Sequence, residues 1–426
     1  MSRPLPPLPS YAHMLAKPNP KHMASLLAFF ERGCTQRGTG GFGVEIEHLP
    51  VHNADDTAVT YFEERGVQAL LERLRPYYDA AKEVRTDDGQ LVGLGRDRVS
   101  VTLEPGGQLE TSIGVLNEPA ELTPLYREFR EELDPIAEEL GFRMVNYGYQ
   151  PVSRALDIPV NPKPRYAAMT EYLGRVGQFG PAMMRASSST QVSLDYVDER
   201  DSIIKMRLAT AVAPILSWMF RNSPYFEGAE NPWPLMRQRM WDYLDFQRTN
   251  VSPGLYDPRF DWETYANDVL CTPLMFADLT HTPEADGELE YAAFHQNAGD
   301  VYPDRELNDY EINHILSTHF NDVRLKNFIE IRHWDSLPVE RAERLTQIVG
   351  GMFYDEARRE RLVALLDGLR EEDVFEAKAT LQARGGNARP YDRSLDEWAD
   401  LLGVTEAGGT LAAVPGDAKY PDVFQK

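Results

Sequence analysis

Several short stretches of the sequence place acidic or amide side chains at every second position. Val44-Glu45-Ile46-Glu47 alternates two carboxylates with apolar residues, and Val101-Thr102-Leu103-Glu104 does the same with Thr102 and Glu104. Gln108, Glu110 and Ser112 alternate with Leu109, Thr111 and Ile113, while Gln191, Ser193 and Asp195 alternate with Val192 and Leu194. Ile329-Glu330-Ile331-Arg332 sets an acid and an arginine two apart. In a strand, residues two apart share a face. One reading is a half-exposed antiparallel sheet with a wet face. The other starts from charge: solvent faces usually mix Lys, Thr and Ser with acid, and opposed like charges cost stability unless a cation lies between them. Hard oxygen ligands suit Mg²⁺ or Mn²⁺ rather than zinc, and Mg²⁺ completes its shell with water and substrate phosphates. Arg332 among such acids would face a phosphoryl group in transit.

The sidedness of the second pair depends on the turn at Pro105-Gly106-Gly107. A three-residue turn pairs Glu104 with Gln108 and keeps the acids on one face, whereas a two-residue turn opposes them. The chain has no P-loop, no cysteine/histidine zinc pattern and no Gly-x-Ser-x-Gly elbow.

The elements that must carry these residues follow from pattern and punctuation. Helices are expected over Lys21–Arg32, Tyr61–Leu74, Pro119–Leu140 (stopped by Gly141), from Arg165, over Ser202–Phe220 with a kink at Pro214, over Met236–Leu244, and from Pro338 to Leu369 or beyond. Strands are expected at Val44–Leu49, in a hairpin from Val99 to Ile113, at Asn146–Gln150, Thr190–Tyr196 and Phe328–Arg332. Residues 250–310 read as irregular with short helices. With no strong linker, the chain reads as one α+β domain over 1–426, with an extended arm at 1–20 and a loose tail at about 404–426.

Lys+Arg number 44 and Asp+Glu 67, a net charge of −23 that repels phosphate backbones, so no nucleic-acid partner is expected. Two cysteines, Cys34 and Cys271, make no disulfide framework, and the N-terminus lacks an apolar h-region; both favour a cytoplasmic location. The longest apolar run, Leu208–Phe220, contains Pro214 and is too short to span a bilayer, so no membrane partner is expected.

The stretches above, with others in order, resemble the glutamate–cysteine ligases of the plant and proteobacterial type. The matching segments are Gly43-Val-Glu-Ile-Glu47, Glu104-Pro-Gly-Gly-Gln-Leu-Glu110, Asp157-Ile-Pro, Pro162-Lys-Pro-Arg-Tyr166, Met183-Met-Arg, Thr190-Gln-Val-Ser-Leu-Asp195 and Asn222-Ser-Pro with Glu227-Gly228. Met236-Arg-Gln-Arg-Met-Trp241, Asp245 with Arg248-Thr249, and Val323-Arg-Leu-Lys with Glu330-Ile-Arg332 complete the set. The resemblance implies a curved antiparallel sheet with helices on its outer face, a catalytic domain like those of glutamine synthetase and the guanido kinases. It implies ATP- and Mg²⁺-dependent ligation of the glutamate γ-carboxylate to the amino group of cysteine through a γ-glutamyl phosphate, the first step of glutathione biosynthesis.

On the same resemblance, Glu45, Glu47, Glu104, Glu110, Gln191 and Glu330 would hold two or three Mg²⁺ ions, with Mn²⁺ as an alternative. Glu47 and Arg332 would be catalytic, with Arg332 and Lys326 at ATP. Arg165, Thr190, Arg237, Trp241 and Arg248 would contact the amino acids. Each also has a plain reading: Gln191 as a bridge between strands, Arg165, Arg237, Arg248 and Lys326 as surface cations, Trp241 as core. After Arg332 the family's usual Gly-Ala-Asp is replaced by His333-Trp334-Asp335, beside the expected phosphate arginine. A different amine acceptor, a phosphotransferase or an inactive nucleotide-binding relative are the alternatives. The oligomeric state is not legible.

Overall fold

The computed structural model describes residues 16–36 and 40–404. Most of the expected N-terminal arm, residues 1–15, and the expected tail from 405 lie outside the described residues. Helix α1 (Pro20–Arg32) starts with proline in its first turn, where no amide hydrogen is needed, and Asn19 caps it by accepting from the Lys21 amide. Strand β1 (Phe42–His52) follows. Helix α2 (Val67–Leu74) fills only the second half of the expected Tyr61–Leu74 segment. Gly66 begins it, packed so closely on the chain before it that a Cβ there would lie 2.2 Å from the Thr60 carbonyl oxygen.

Strands β2 (Val84–Arg85), β3 (Leu91–Arg96), β4 (Val99–Leu103) and β5 (Leu109–Leu116) form a meander. Helix α3 (Leu122–Leu140) and strand β6 (Phe142–Val145) come next. The strand expected at Asn146–Gln150 is thus displaced upstream, and only an isolated bridge joins Tyr149 to Ser187. Helices α4 (Arg165–Val176) and α5 (Gly180–Ala186) precede β7 (Ser189–Leu194), α6 (Glu199–Met219) and α7 (Met236–Asp242). The C-terminal part contributes β8 (Val323–Leu325), β9 (Ile329–Asp335), α8 (Val339–Phe353), α9 (Glu356–Leu365) and α10 (Glu371–Arg384). The expected continuous helix from Pro338 breaks after Phe353, because Asp355 turns outward to cap the Arg358 amide and start α9.

Nine strands make one open sheet in the order β8-β9-β7-β1-β5-β4-β3-β2, with β6 paired to the far end of β1. Every pair in it is antiparallel. The hairpin turn has three residues: the Glu104 amide donates to the Gln108 carbonyl at 2.9 Å, and Gly107 takes the positive φ (87°) that such a loop requires. Register then decides the faces. Glu45 opposes Gln191 and Ser112, Glu47 opposes Glu110, Thr102 opposes Glu110, and Glu330 opposes Ser193. Behind them, Val44, Ile46, Val101, Leu103, Leu109, Ile113, Val192, Ile329 and Ile331 are buried in the main core. Helices α2, α3, α6 and α8 pack against the sheet. The α+β class with helices on the apolar face agrees with the expectation.

Candidate active site

Helices α4, α5 and α7 roof part of the polar face. Their inward sides form a second, small core that includes Tyr166, Met169, Met184, Trp241 and Phe320. Between roof and sheet lies a cavity of about 230 Å³. Of the residues singled out from sequence, Glu45, Glu47, Glu104, Glu110, Gln191, Lys326, Glu330, Arg332, Arg165, Arg237 and Trp241 all line it. Trp241 is both wall and core: it stacks 5.5 Å from Phe320, and the Arg237 guanidinium lies 5.6 Å from its ring centre.

Two expected residues are not brought to the cavity. Thr190 opposes Ile46 and so faces the apolar side, where its Oγ1 accepts from the Leu337 amide at 3.0 Å. The odd step from Thr190 to Gln191 carries it to the other face. Arg248 is fully buried behind α4, donating to Asp245 at 2.7 Å and to the carbonyls of Thr318 and Pro273. It holds loops together rather than a ligand. His333 and Trp334 also leave the cavity untouched. His333 meets Ser217 of α6 at 3.2 Å and Trp334 lies in the core. A register irregularity between Ile331 and Trp334 accompanies this change of direction.

Arg324, which carried no expected role, is central. From β8 it opposes Glu330 of β9 and grips its carboxylate at 2.6 Å. Arg332 Nη1 donates to the same carboxylate at 2.8 Å and to Gln191 Oε1 at 2.7 Å, and Lys326 stands 3.5 Å away. In Val323-Arg-Leu-Lys the two cations stand two residues apart, a spacing that puts Arg324 and Lys326 on one face of a strand. Tyr166, Met183, Met184, Ser187 and Phe320 were likewise unassigned and complete the wall; no spacing rule marks them, because they come from helices and loops far apart in sequence.

The electrostatics divide the acids into two groups. Burial alone would raise Glu330, but Arg324, Arg332 and Lys326 outweigh it and hold its carboxyl well below the usual range. Glu47 and Glu110 are pushed up to about 7, first by burial and then by Glu104. Burial, then Glu110 and Glu330, raise Glu45 well above its ordinary value. Glu47 is the best anchored, accepting from the Ser189 amide at 2.8 Å, Ser189 Oγ at 2.5 Å and Gln191 Nε2 at 3.2 Å.

Among the described residues, no three acidic, cysteine or histidine side chains converge closely enough to hold a metal ion by themselves. Buried, mutually repelling oxygens nonetheless fit a hard cation whose remaining positions are filled by water and substrate oxygens. The sign of the pH effect follows. A carboxyl raised from 4.5 to about 7 stabilises the fold fully below 4.5, and that stability is lost as pH rises through about 7. Without divalent cation, the melting temperature should therefore fall between pH 5 and 7.5. Mg²⁺ should raise it more at pH 7.5 than at pH 5.5, adding about 2.7 kcal/mol at a concentration about 100-fold above its dissociation constant. Equal shifts at both pH values in thermal melts would contradict cation binding by these acids.

Glu45 also borders a second cavity, of about 370 Å³, further along the same strands. Gly41–Val44, Ser100, Ser112, Ser193 and Phe328, an aromatic ring, are among the residues that line it. Lys326 reaches over that ring at 4.7 Å, between the two spaces.

Comparison with known proteins bears on the family of the chain. The family model described as "Glutamate-cysteine ligase family 2 (GCS2)" matches residues 41–416. The chain is 30% identical over 360 residues to a chloroplastic glutamate–cysteine ligase of Medicago truncatula, covering 84% of this chain and 70% of that protein. It is 31% identical over 344 residues to the chloroplastic enzyme of Arabidopsis thaliana (80% and 64%), and 32% identical over 341 residues to that of Nicotiana tabacum (78% and 62%). The chain therefore spans only about two thirds of the length of these relatives. A solved structure of a glutamate–cysteine ligase from Francisella tularensis in complex with AMP superimposes with a TM-score of 0.47 at 12% identity, covering 87% of this chain and 77% of that one. The plant relatives are chloroplastic enzymes, a location that overturns the cytoplasmic expectation. Among the described residues no helix is long and apolar enough to cross a membrane.

Proposed function

We propose, from the premise that this chain belongs to glutamate–cysteine ligase family 2, that its cleft joins the side-chain carboxylate of glutamate to the amino group of cysteine with ATP as phosphoryl donor. The observation that carries the reading is the meeting, in one cavity, of Arg332 and Arg324 with carboxylates whose pKa values are raised by burial and by one another. A free carboxylate does not react with an amine. Transfer of the ATP γ-phosphoryl to a glutamate side-chain oxygen releases ADP and makes an acyl phosphate. The amine nitrogen then bonds to that carbonyl carbon, the C–O bond to phosphate breaks, and a proton leaves the nitrogen.

Bringing two anions together requires positive charge at the transfer point. Arg332, oriented by Glu330 and Gln191, supplies it, and Arg324, donating to the same Glu330 oxygen, fixes that acid as its support. Bound Mg²⁺ would add charge neutralisation between the phosphates and the carboxylate, held by Glu45, Glu47, Glu104 and Glu110. Glu330 is the weakest of the expected ligands, since three cations already occupy it. Arg165 and Arg237 each keep a buried Nε without a hydrogen-bond partner, which suits the α-carboxylates of the two amino acids. Met183, Met184, Trp241 and Phe320 provide a soft apolar wall for the acceptor's side chain. The second cavity beyond Glu45 takes the nucleoside end of ATP.

The test is incubation with ATP, Mg²⁺, glutamate and each of the twenty amino acids, with mass detection of products. γ-Glutamylcysteine as the main product is expected. A different γ-glutamyl amide would reassign the acceptor, a phosphorylated product without amide would indicate a phosphotransferase, and no ADP release with any amino acid would overturn the reading.

A further inference from the structure

Helix α10 lies beyond the last of the matching sequence segments and outside both cavities, yet it carries a lysine that is 2% exposed. Lys378 Nζ lies 2.7 Å from Asp322 Oδ2, 3.1 Å from Asp242 Oδ1 and 3.2 Å from Asn250 Oδ1. A buried ammonium is costly unless its partners are well placed, so the site is built for it. Its two acids sit at telling points. Asp242 ends α7, one residue after Trp241. Asp322 immediately precedes β8, and its carbonyl accepts from the Arg332 amide at 3.0 Å.

One helical turn on, and so on the same face of α10, Gln382 reaches the other end of α7. Its Nε2 donates to the Leu235 carbonyl at 2.8 Å, and its Oε1 accepts from the Leu235 amide at 3.4 Å. Leu235 caps the start of α7. The helix that carries Arg237 and Trp241 is thus held at both termini by two side chains of α10. One of those two also holds the strand entry next to Arg324 and Arg332.

We propose that α10 is a clamp that sets the roof of the cleft against its floor, with Lys378 as the positioning residue: through Asp242 it fixes Arg237 and Trp241, and through Asp322 it fixes Arg324 and Arg332. The inference rests on the ligase reading for its kinetic consequence but not for its structural one. Because each tie can be cut separately, each has its own signature. Asp242→Asn leaves Lys378 paired with Asp322 and loosens α7 alone; it should raise an amino-acid KM about tenfold with kcat and the KM for ATP little changed. Asp322→Asn leaves α7 tied and loosens the strand; it should lower kcat about tenfold with amino-acid KM little changed. Lys378→Met should show both effects.

Hydrogen–deuterium exchange supplies a readout independent of turnover. Relative to the intact chain, exchange over 236–242 should quicken about tenfold in Asp242→Asn and in Gln382→Ala, and over 323–325 in Asp322→Asn, with the rest of the sheet unchanged. Exchange that is unaltered in these segments, or that quickens evenly throughout, would overturn the clamp, as would wild-type KM and kcat per folded molecule in both asparagine variants. If the unmodified chain makes no γ-glutamyl product, the ligase reading fails and exchange alone decides the clamp.

Discussion

Replacing Arg332 with alanine should lower kcat by about 10³-fold or more, the scale on which a transition-state arginine acts in phosphoryl transfer. The residue touches no second function that would explain such a loss. Its guanidinium bonds Glu330 and Gln191, and the residue lines the cavity together with the roof arginines and the floor acids. The cost to folding should be smaller than the about 3–5 kcal/mol of stripping a buried carboxylate of its only partner, because Arg324 and Lys326 stay on Glu330. Urea titration alongside steady-state kinetics separates the two. Arg332→Lys should recover only part of the rate, since an ammonium keeps the charge but cannot bridge Glu330, Gln191 and a phosphoryl oxygen in one plane. Wild-type turnover in Arg332→Ala would remove the residue from the reaction.

Glu47→Gln should lower kcat by about 10²–10³-fold, a loss of about 2.7–4 kcal/mol of transition-state stabilisation. The substitution should at the same time stabilise the cation-free protein at pH 7.5. Glutamine keeps the shape and an oxygen for the Ser189 amide, while removing one of several mutually repelling acids from a buried site. Lower activity with higher stability is the signature of a residue placed for function against the fold's preference. Thermal melts with and without Mg²⁺ test it: the Mg²⁺-induced shift should shrink in the variant. A variant with reduced stability and an undiminished Mg²⁺ shift would contradict the assignment.

The floor of the site was legible in the sequence because a strand writes its two faces as alternation. Glu45, Glu47, Glu110 and Glu330 could be set on one side from their spacing alone, once the turn at Pro105–Gly107 had three residues. The same rule, applied strictly, excludes Thr190: it is one residue from Gln191 and must face the core. It also includes Arg324, two residues from Lys326. The roof was not legible from pattern. Trp241, Phe320, Met183 and Arg165 meet through loop crossings that no local periodicity encodes. Strand β3 carries two glycines and offers no polar alternation, and β6 is only four residues long, so neither announces itself. The long C-terminal helical segment was visible as helix but not as three helices. Its purpose at the site depends on one buried lysine whose partners, Asp242, Asn250 and Asp322, all lie on other elements far off in sequence.

The central claim is that this cleft activates the glutamate side chain as an acyl phosphate. Glutamate labelled with ¹⁸O in both side-chain carboxylate oxygens, incubated with ATP, Mg²⁺, cysteine and the protein, tests it directly. Phosphate carrying one ¹⁸O atom, released in step with γ-glutamylcysteine, is the predicted result. Unlabelled phosphate accompanying the same product would show that the carboxylate oxygen never bonded to phosphorus, and would contradict the account.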